Sequence, residues 1–146
     1  MKTIKEQIVE LTDERQWLEA FPVMRQLRTD LDEGTYIELL KEMTKDGYRL
    51  FALYNDASII ALAGVSLRTN FYNKRHVFVY DLVTDAAHRS QGNGYKLLTY
   101  IHAWGAEHGA EYVALESGVQ RIDSHRFYED KLDYTRFCYS FRKQLV

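Results

Sequence analysis

The chain has 146 residues, enough to close one apolar core and too few for two full ones, so a single domain over residues 1–146 is expected. Its 19 basic and 21 acidic residues leave a net charge of -2, which excludes the electrostatic footprint of a nucleic-acid binder or of a protein held on an anionic membrane. The lone Cys138 excludes an internal disulfide framework and a thiolate metal cluster, and the mixed charges of Met1-Lys2-Thr3-Ile4-Lys5-Glu6 do not make a signal peptide, so a cytoplasmic protein with a small-molecule or protein substrate is expected.

Ile4 to Leu11 reads as a first strand, after which Thr12-Asp13 offers an N-cap to a helix through Trp17, Leu18, Phe21, Met24 and Leu27. Pro22 is expected to bend or restart that helix. The acidic stretch Asp30-Leu31-Asp32-Glu33-Gly34 reads as a loop, and Thr35 as the cap of a second helix whose apolar face is Tyr36, Ile37, Leu39, Leu40 and Met43, closed by Gly47. From Tyr48 the period changes to that of strands. Tyr48 to Tyr54 and Ser58 to Leu67, joined at Asn55-Asp56, read as a hairpin, and His76 to Thr84, dense in β-branched and aromatic residues, as a central strand. The loop Asp85 to Gln91 leads into a helix from Gly92 to about His108, with Leu97, Leu98, Ile101 and Trp104 at helical spacing and Gly109 as its stop. Tyr112 to Glu116 is a short strand, Asp123-Ser124 caps a brief helix through Phe127-Tyr128, and Tyr134 to Phe141 alternates aromatics as a final strand. These elements make a mixed sheet with helices on both faces, and the strand, glycine loop, helix and strand around residues 76 to 116 should form a right-handed unit.

That unit is where a phosphate-bearing ligand is expected, because its loop delivers free backbone N–H groups at the positive end of a helix. Arg89-Ser90-Gln91-Gly92-Asn93-Gly94 carries a basic residue where an anion would arrive and two glycines without a Cβ to block the amides. Taken alone, the same glycines also suit a βα turn under tight packing. A P-loop is excluded because no Gly-Lys-Ser/Thr follows, and a dinucleotide fold fits poorly because this loop does not follow the first strand of a parallel set, although Glu111 and Glu116 lie near the distance of its acidic residue.

Asp81-Leu82-Val83-Thr84, the run Arg89 to Leu98 and Ser124-His125-Arg126-Phe127-Tyr128-Glu129 together resemble the GNAT superfamily of acyl-CoA N-acyltransferases. The resemblance implies an α+β fold with a mixed, mostly antiparallel central sheet of six to seven strands and helices on both faces, acetyl-CoA as co-substrate, and no metal. It places the CoA pyrophosphate on Arg89, Ser90, Gln91, Gly92, Asn93, Gly94 and Tyr95, and the pantetheine arm along Leu82, Val83 and Thr84. It also places the loop between the first two helices over the acceptor cleft, so that Asp30, Asp32, Glu33 and Tyr36 would meet a cationic amine. The sequence departs from the family in two places: Asp133-Tyr134 stands where Gly-Phe is usual, and Phe78 where some members carry a catalytic glutamate.

Acetyl transfer to an amine with a pKa of about 10.4 needs a proton acceptor. Asp81, Glu116 and His125 are candidates, each with the alternative of a paired or solvated side chain. Tyr128 would protonate the departing thiolate, its alternative being the second aromatic of a core pair. The oxyanion would be met by the backbone N–H of Val83 or a neighbour on a bulged strand. The five histidines, at 76, 88, 102, 108 and 125, show no ligand spacing, so no metal is expected. The resulting expectation is an N-acetyltransferase acting on a primary amine of a small molecule. A non-catalytic acetyl-CoA sensor, or a protein lysine or N-terminal acetyltransferase, are the alternatives. An exposed part of Tyr134, Phe137, Tyr139 and Phe141 could pair two chains as a homodimer.

Overall fold

In the computed structural model, which describes residues 5–146, helix α1 (Glu14–Leu27) starts on a capping box. Asp13 accepts the N–H of Gln16 at 2.9 Å, and the Gln16 side chain accepts from the N–H groups of Thr12 and Asp13. The helix runs unbroken through Pro22 rather than restarting there. Ala20, Phe21, Val23 and Met24 are all buried around the proline, so packing of the apolar face outweighs the one missing hydrogen bond. Helix α2 (Glu33–Lys45) begins three residues earlier than its sequence suggests. Asp32, not Thr35, is the cap, accepting the Thr35 N–H at 2.8 Å.

Strands β1 (Glu6–Leu11), β2 (Arg49–Asn55), β3 (Ser58–Asn70) and β4 (Lys74–Thr84) pair antiparallel in chain order, and β5 (Tyr112–Leu115) lies beside β4. Residues 1–4, and with them the expected strand start at Ile4, lie outside the described residues. Alternation along β2 divides the core. Leu50 and Ala52 pack with Leu62, Val83 and the buried faces of α1 and α2. Phe51 points the other way, its ring 5.8 Å from Tyr100 and 5.4 Å from Trp104 of α3 (Asn93–Glu107). Leu53, Leu62, Leu97 and Ile101 are among the largest fully buried side chains, each worth about 1.5–3 kcal/mol relative to exposure. Helices therefore cover both faces of a mixed five-stranded sheet.

The chain divides into two compact units, Met1–Ala114 and Leu115–Val146. In the second, helix α4 (Ile122–Arg126) runs into a π-helical turn, Phe127–Lys131, and Asp123 occupies its first turn instead of capping it. Among the described residues the sheet has five strands, not the six to seven expected, and Tyr134 to Phe141 is not one of them. Alternating aromatics supply strand propensity, but propensity alone does not make a strand, because what it reports is packing against cross-strand neighbours. Tyr139 and Phe141 are exposed.

Candidate active site

Val77 of β4 touches Gly105 of α3, and strict alternation would aim Asp81 at the same face. It does not, because the register slips: Gly64 pairs with Asp81 but Val65 with Val79, leaving Tyr80 without a partner. This bulge shifts the phase by one residue. Tyr80, Asp81 and Val83 consequently all face α1 and α2, Asp81 bonding to Arg28 and Tyr48 while Tyr80 and Val83 join the core on that side. The strand is thus bulged, centred on Tyr80 three residues before Val83.

Asp81 is 8% exposed and bonded through both of its oxygens. Its Oδ1 accepts from Arg28 Nε at 2.9 Å and pairs with Nη2 at 2.8 Å, and its Oδ2 accepts from the Tyr48 hydroxyl at 2.7 Å. Arg28 Nη2 also donates to the Tyr80 carbonyl at 2.9 Å, so one guanidinium clamps the bulge. Burial and the neighbouring Asp81 carboxylate push the Tyr48 phenol well above its ordinary value. Tyr48 lies flat over Gly64, where any Cβ would collide with its ring and hydroxyl. Sequence reading found Asp81 but missed Arg28, Tyr48 and Gly64. Only the glycine inside an apolar strand hinted at a close approach.

Arg28, Asp81, Tyr48 and Tyr36 form the polar end of a cleft of about 210 Å³ whose other walls are Met24, Leu31, Leu39, Leu40 and Met43. Tyr36 is buried, donates its hydroxyl to the Trp17 carbonyl at 2.8 Å and has its phenol pushed up, first by burial and then by Asp81. Asp32 is occupied with capping, which lowers its carboxyl below the ordinary 3.8. Asp30 and Glu33 are exposed near the same end of α2.

The loop after β4 is pinned at several points. Asp85 accepts from Gln26 Nε2 at 2.7 Å and pairs with His88 Nδ1 at 2.9 Å, Gln26 Oε1 accepts the Ala86 N–H at 2.8 Å, and buried Asn93 donates to the His88 carbonyl at 3.1 Å. Gln26, on α1, had no signal in the sequence. Gly92 then caps α3 at φ +80 without a side-chain hydrogen bond, and a Cβ placed there would meet nothing within 4 Å. The first intrahelical bond runs from Lys96 to the Gly92 carbonyl, which leaves the N–H groups of Asn93, Gly94 and Tyr95 facing outward by helix geometry. Ser90 holds φ +62, and Arg89 and Gln91 are exposed.

Among the described residues, Leu82, Val83 and Thr84 pair with β3 on one side, at Ala63, Leu62 and Ala61, and no pairing is seen on the other. On the other side, β5 starts where Glu111 N–H meets the Arg75 carbonyl at 2.7 Å and ends after four residues, too soon to reach them. An open strand edge and an uncapped helix start thus lie at the two ends of one pinned loop. Exposed amides and a guanidinium suit a pyrophosphate, and an open edge suits an extended amide-bearing arm, so the residues present fit CoA.

Glu116 and Tyr128 belong to the second unit. Glu116 is exposed. Tyr128 lies on the π-helical turn, its ring 5.4 Å from Phe127 and 5.7 Å from Tyr134, so the adjacent rings touch instead of pointing apart. Burial raises its phenol above 10.0, against a smaller lowering by Arg121. His125 sets its Nε2 2.8 Å from the Gly118 carbonyl, a structural tie. Among the described residues no three His, Cys, Asp or Glu side chains gather as a metal site requires.

The model of the acetyltransferase (GNAT) family matches residues 11–134, across both units. An uncharacterized N-acetyltransferase of Bacillus subtilis strain 168, YhdJ, is 44% identical over 135 residues, covering 92% of this chain and 95% of that protein. The aminoglycoside N-acetyltransferase AAC(6')-Iy in complex with CoA shares the fold, with a TM-score of 0.84 at 17% identity over 99% of this chain and 98% of that one. So does a transcriptional regulator from Bacillus halodurans C-125, with a TM-score of 0.81 at 22% identity over 97% and 100%.

Proposed function

This chain belongs to the GNAT family of acetyltransferases, and from that premise we propose that it is a cytoplasmic enzyme, one domain over residues 1–146, that acetylates the primary amine of a small molecule. The observation that carries the reading is the pairing of an uncapped α3 start with the one-sided edge of β4, joined by a loop held from α1 and from Asn93. Such a site takes a pyrophosphate and a pantetheine arm in one continuous stretch.

The bound acetyl-CoA supplies a thioester carbonyl open to attack by a neutral amine. Gly92 and Gly94 keep the amides of residues 89 to 95 accessible, with Arg89 adding a cation. Leu82, Val83 and Thr84 offer backbone groups along the open edge. The Asp81 carboxylate, held by Arg28 and Tyr48, receives the acceptor's ammonium, and the proton it sheds goes to solvent. Tyr128 keeps its own proton until the sulfur departs, as a phenol raised by burial does. Asp30, Asp32, Glu33 and Tyr36 shape the approach from the α1–α2 side. The test is thiol release from acetyl-CoA with a panel of small amines, alongside calorimetric titration with CoA. Acetylation of a small amine is expected. Tight CoA binding with no turnover on any amine or peptide would replace the enzyme by a sensor.

A further inference from the structure

The cleft bounded by α1, α2 and β4 has an unusual balance of chemistry. Five of its walls are the uncharged side chains Met24, Leu31, Leu39, Leu40 and Met43, and its polar end holds one carboxylate and one guanidinium in direct contact, Asp81 and Arg28 at 2.8 Å. The two charges cancel, so the cleft has no net field to concentrate a simple cation. Both have bonding capacity left. Arg28 uses Nε and Nη2, while Nη1 makes no hydrogen bond among the described residues and half the side chain is exposed. Asp81 accepts from two partner groups and a carboxylate offers about four acceptor sites. At about 210 Å³ the cleft is smaller than the ~300 Å³ at which drug-sized pockets begin, so its occupant is compact.

We propose that the acceptor is an α-amino acid with an apolar side chain, bound as its zwitterion: carboxylate on Arg28, ammonium on Asp81, side chain along the methionine and leucine walls. This rests on the reading of the protein as a small-molecule amine acetyltransferase and names the class of that amine. A zwitterion inserts one charge against each member of the pair and leaves neither unmatched. A decarboxylated amine would set its cation beside Arg28 with nothing to answer it. A polyamino sugar would bring several ammonium and hydroxyl groups to walls that offer them no partner. The transfer balances without another reactant. The amino acid's ammonium sheds one proton to become nucleophilic, its nitrogen forms the amide bond to the acetyl carbon as the C–S bond breaks, and of the two protons lost from nitrogen one goes to sulfur and one to solvent.

The experiment measures kcat/KM with acetyl-CoA for L-leucine, L-methionine and L-phenylalanine, for the three amines these yield on decarboxylation, and for sisomicin as a polyamine. The same amino acids are titrated by NMR into the CoA-bound protein. The amino acids should exceed their decarboxylated partners by roughly 30-fold or more, the low end for leaving a buried charge unmatched. Arg28→Met should raise KM for the amino acids and erase that preference, with partial rescue in Arg28→Lys. Because Arg28 also clamps the strand bulge, Leu39→Glu gives a second variant: Leu39 is 43% exposed, and a charge there should weaken the apolar amino acids without disturbing the core. Equal or better turnover of the decarboxylated amines or of sisomicin would overturn the amino-acid assignment while leaving acetyl transfer intact. CoA binding with no acceptor turned over and no amino acid bound would remove both.

Discussion

Tyr128 is the residue on which the proposed acid catalysis rests, and its surroundings set a pH signature. A raised phenol is the donor form throughout the neutral range, and activity that needs this proton is lost only as pH climbs through the raised value, above 10.0. Tyr128→Phe keeps the ring contacts with Phe127 and Tyr134 and deletes only the hydroxyl. Its kcat should fall by roughly 10² or more, the low end for a positioned acid, with CoA affinity unchanged. A kcat within a fewfold of wild type, with chemistry rate-limiting, would return Tyr128 to a packing role. A second test lies at Gly64. Gly64→Ala places a methyl where the Tyr48 ring lies, so Tyr48 must swing away and abandon Asp81. Overpacking of this kind costs about 1–3 kcal/mol, and thermal unfolding together with acceptor KM should report the two effects; an unchanged melting temperature and KM would contradict the packing. Asp81 was legible in the sequence as a carboxylate at a strand end. Its aim was not, because the one-residue slip at Tyr80 is invisible to alternation and its partner Arg28 lies 53 residues away.

The strand, loop and helix from Lys74 to Glu107 was readable because each part has a strong local cause. β-branched density made β4, Gly92 at φ +80 turned the chain, and helical spacing made α3. Elements that depend on distant packing were read less well. Pro22 sits inside an intact helix because four buried neighbours hold it, and Tyr134 to Phe141 alternates aromatics yet is not among the five strands of the described residues. The loop supplies its own test. Gly92→Val confounds strain with blockade, since a branched side chain at positive φ costs on the order of 1–2 kcal/mol wherever it points. Gly94, in the first turn of α3, avoids that. Gly94→Val should fold normally by circular dichroism and lose most of its CoA affinity in calorimetry. Unimpaired binding would mean that the phosphates lie away from these amides.

At the scale of the whole molecule, charge works against the ligand. With 21 acidic and 19 basic residues, the protein carries a net negative charge toward a polyphosphate that is also negative, so in the proposed site capture rests on local donors: the amides at the start of α3 and one exposed guanidinium, Arg89. These two contributions respond differently to salt. Oriented amides act within a hydrogen bond of the phosphate, whereas an exposed Arg89 is screened over a Debye length of about 10 Å at 0.1 M. Arg89→Ala should therefore weaken CoA binding at low ionic strength by at most about fivefold, the upper range for an exposed ion pair. It should also remove most of the salt dependence seen in wild type, while Gly94→Val loses most of its affinity at every salt concentration. Titrations of the three proteins at about 0.05 M and 0.5 M salt, spanning strong and weak screening, separate the terms. A wild-type affinity that does not change with salt, or an Arg89→Ala protein that keeps the full wild-type slope, would show that the cation lies outside the phosphate site and that the amides hold the ligand alone.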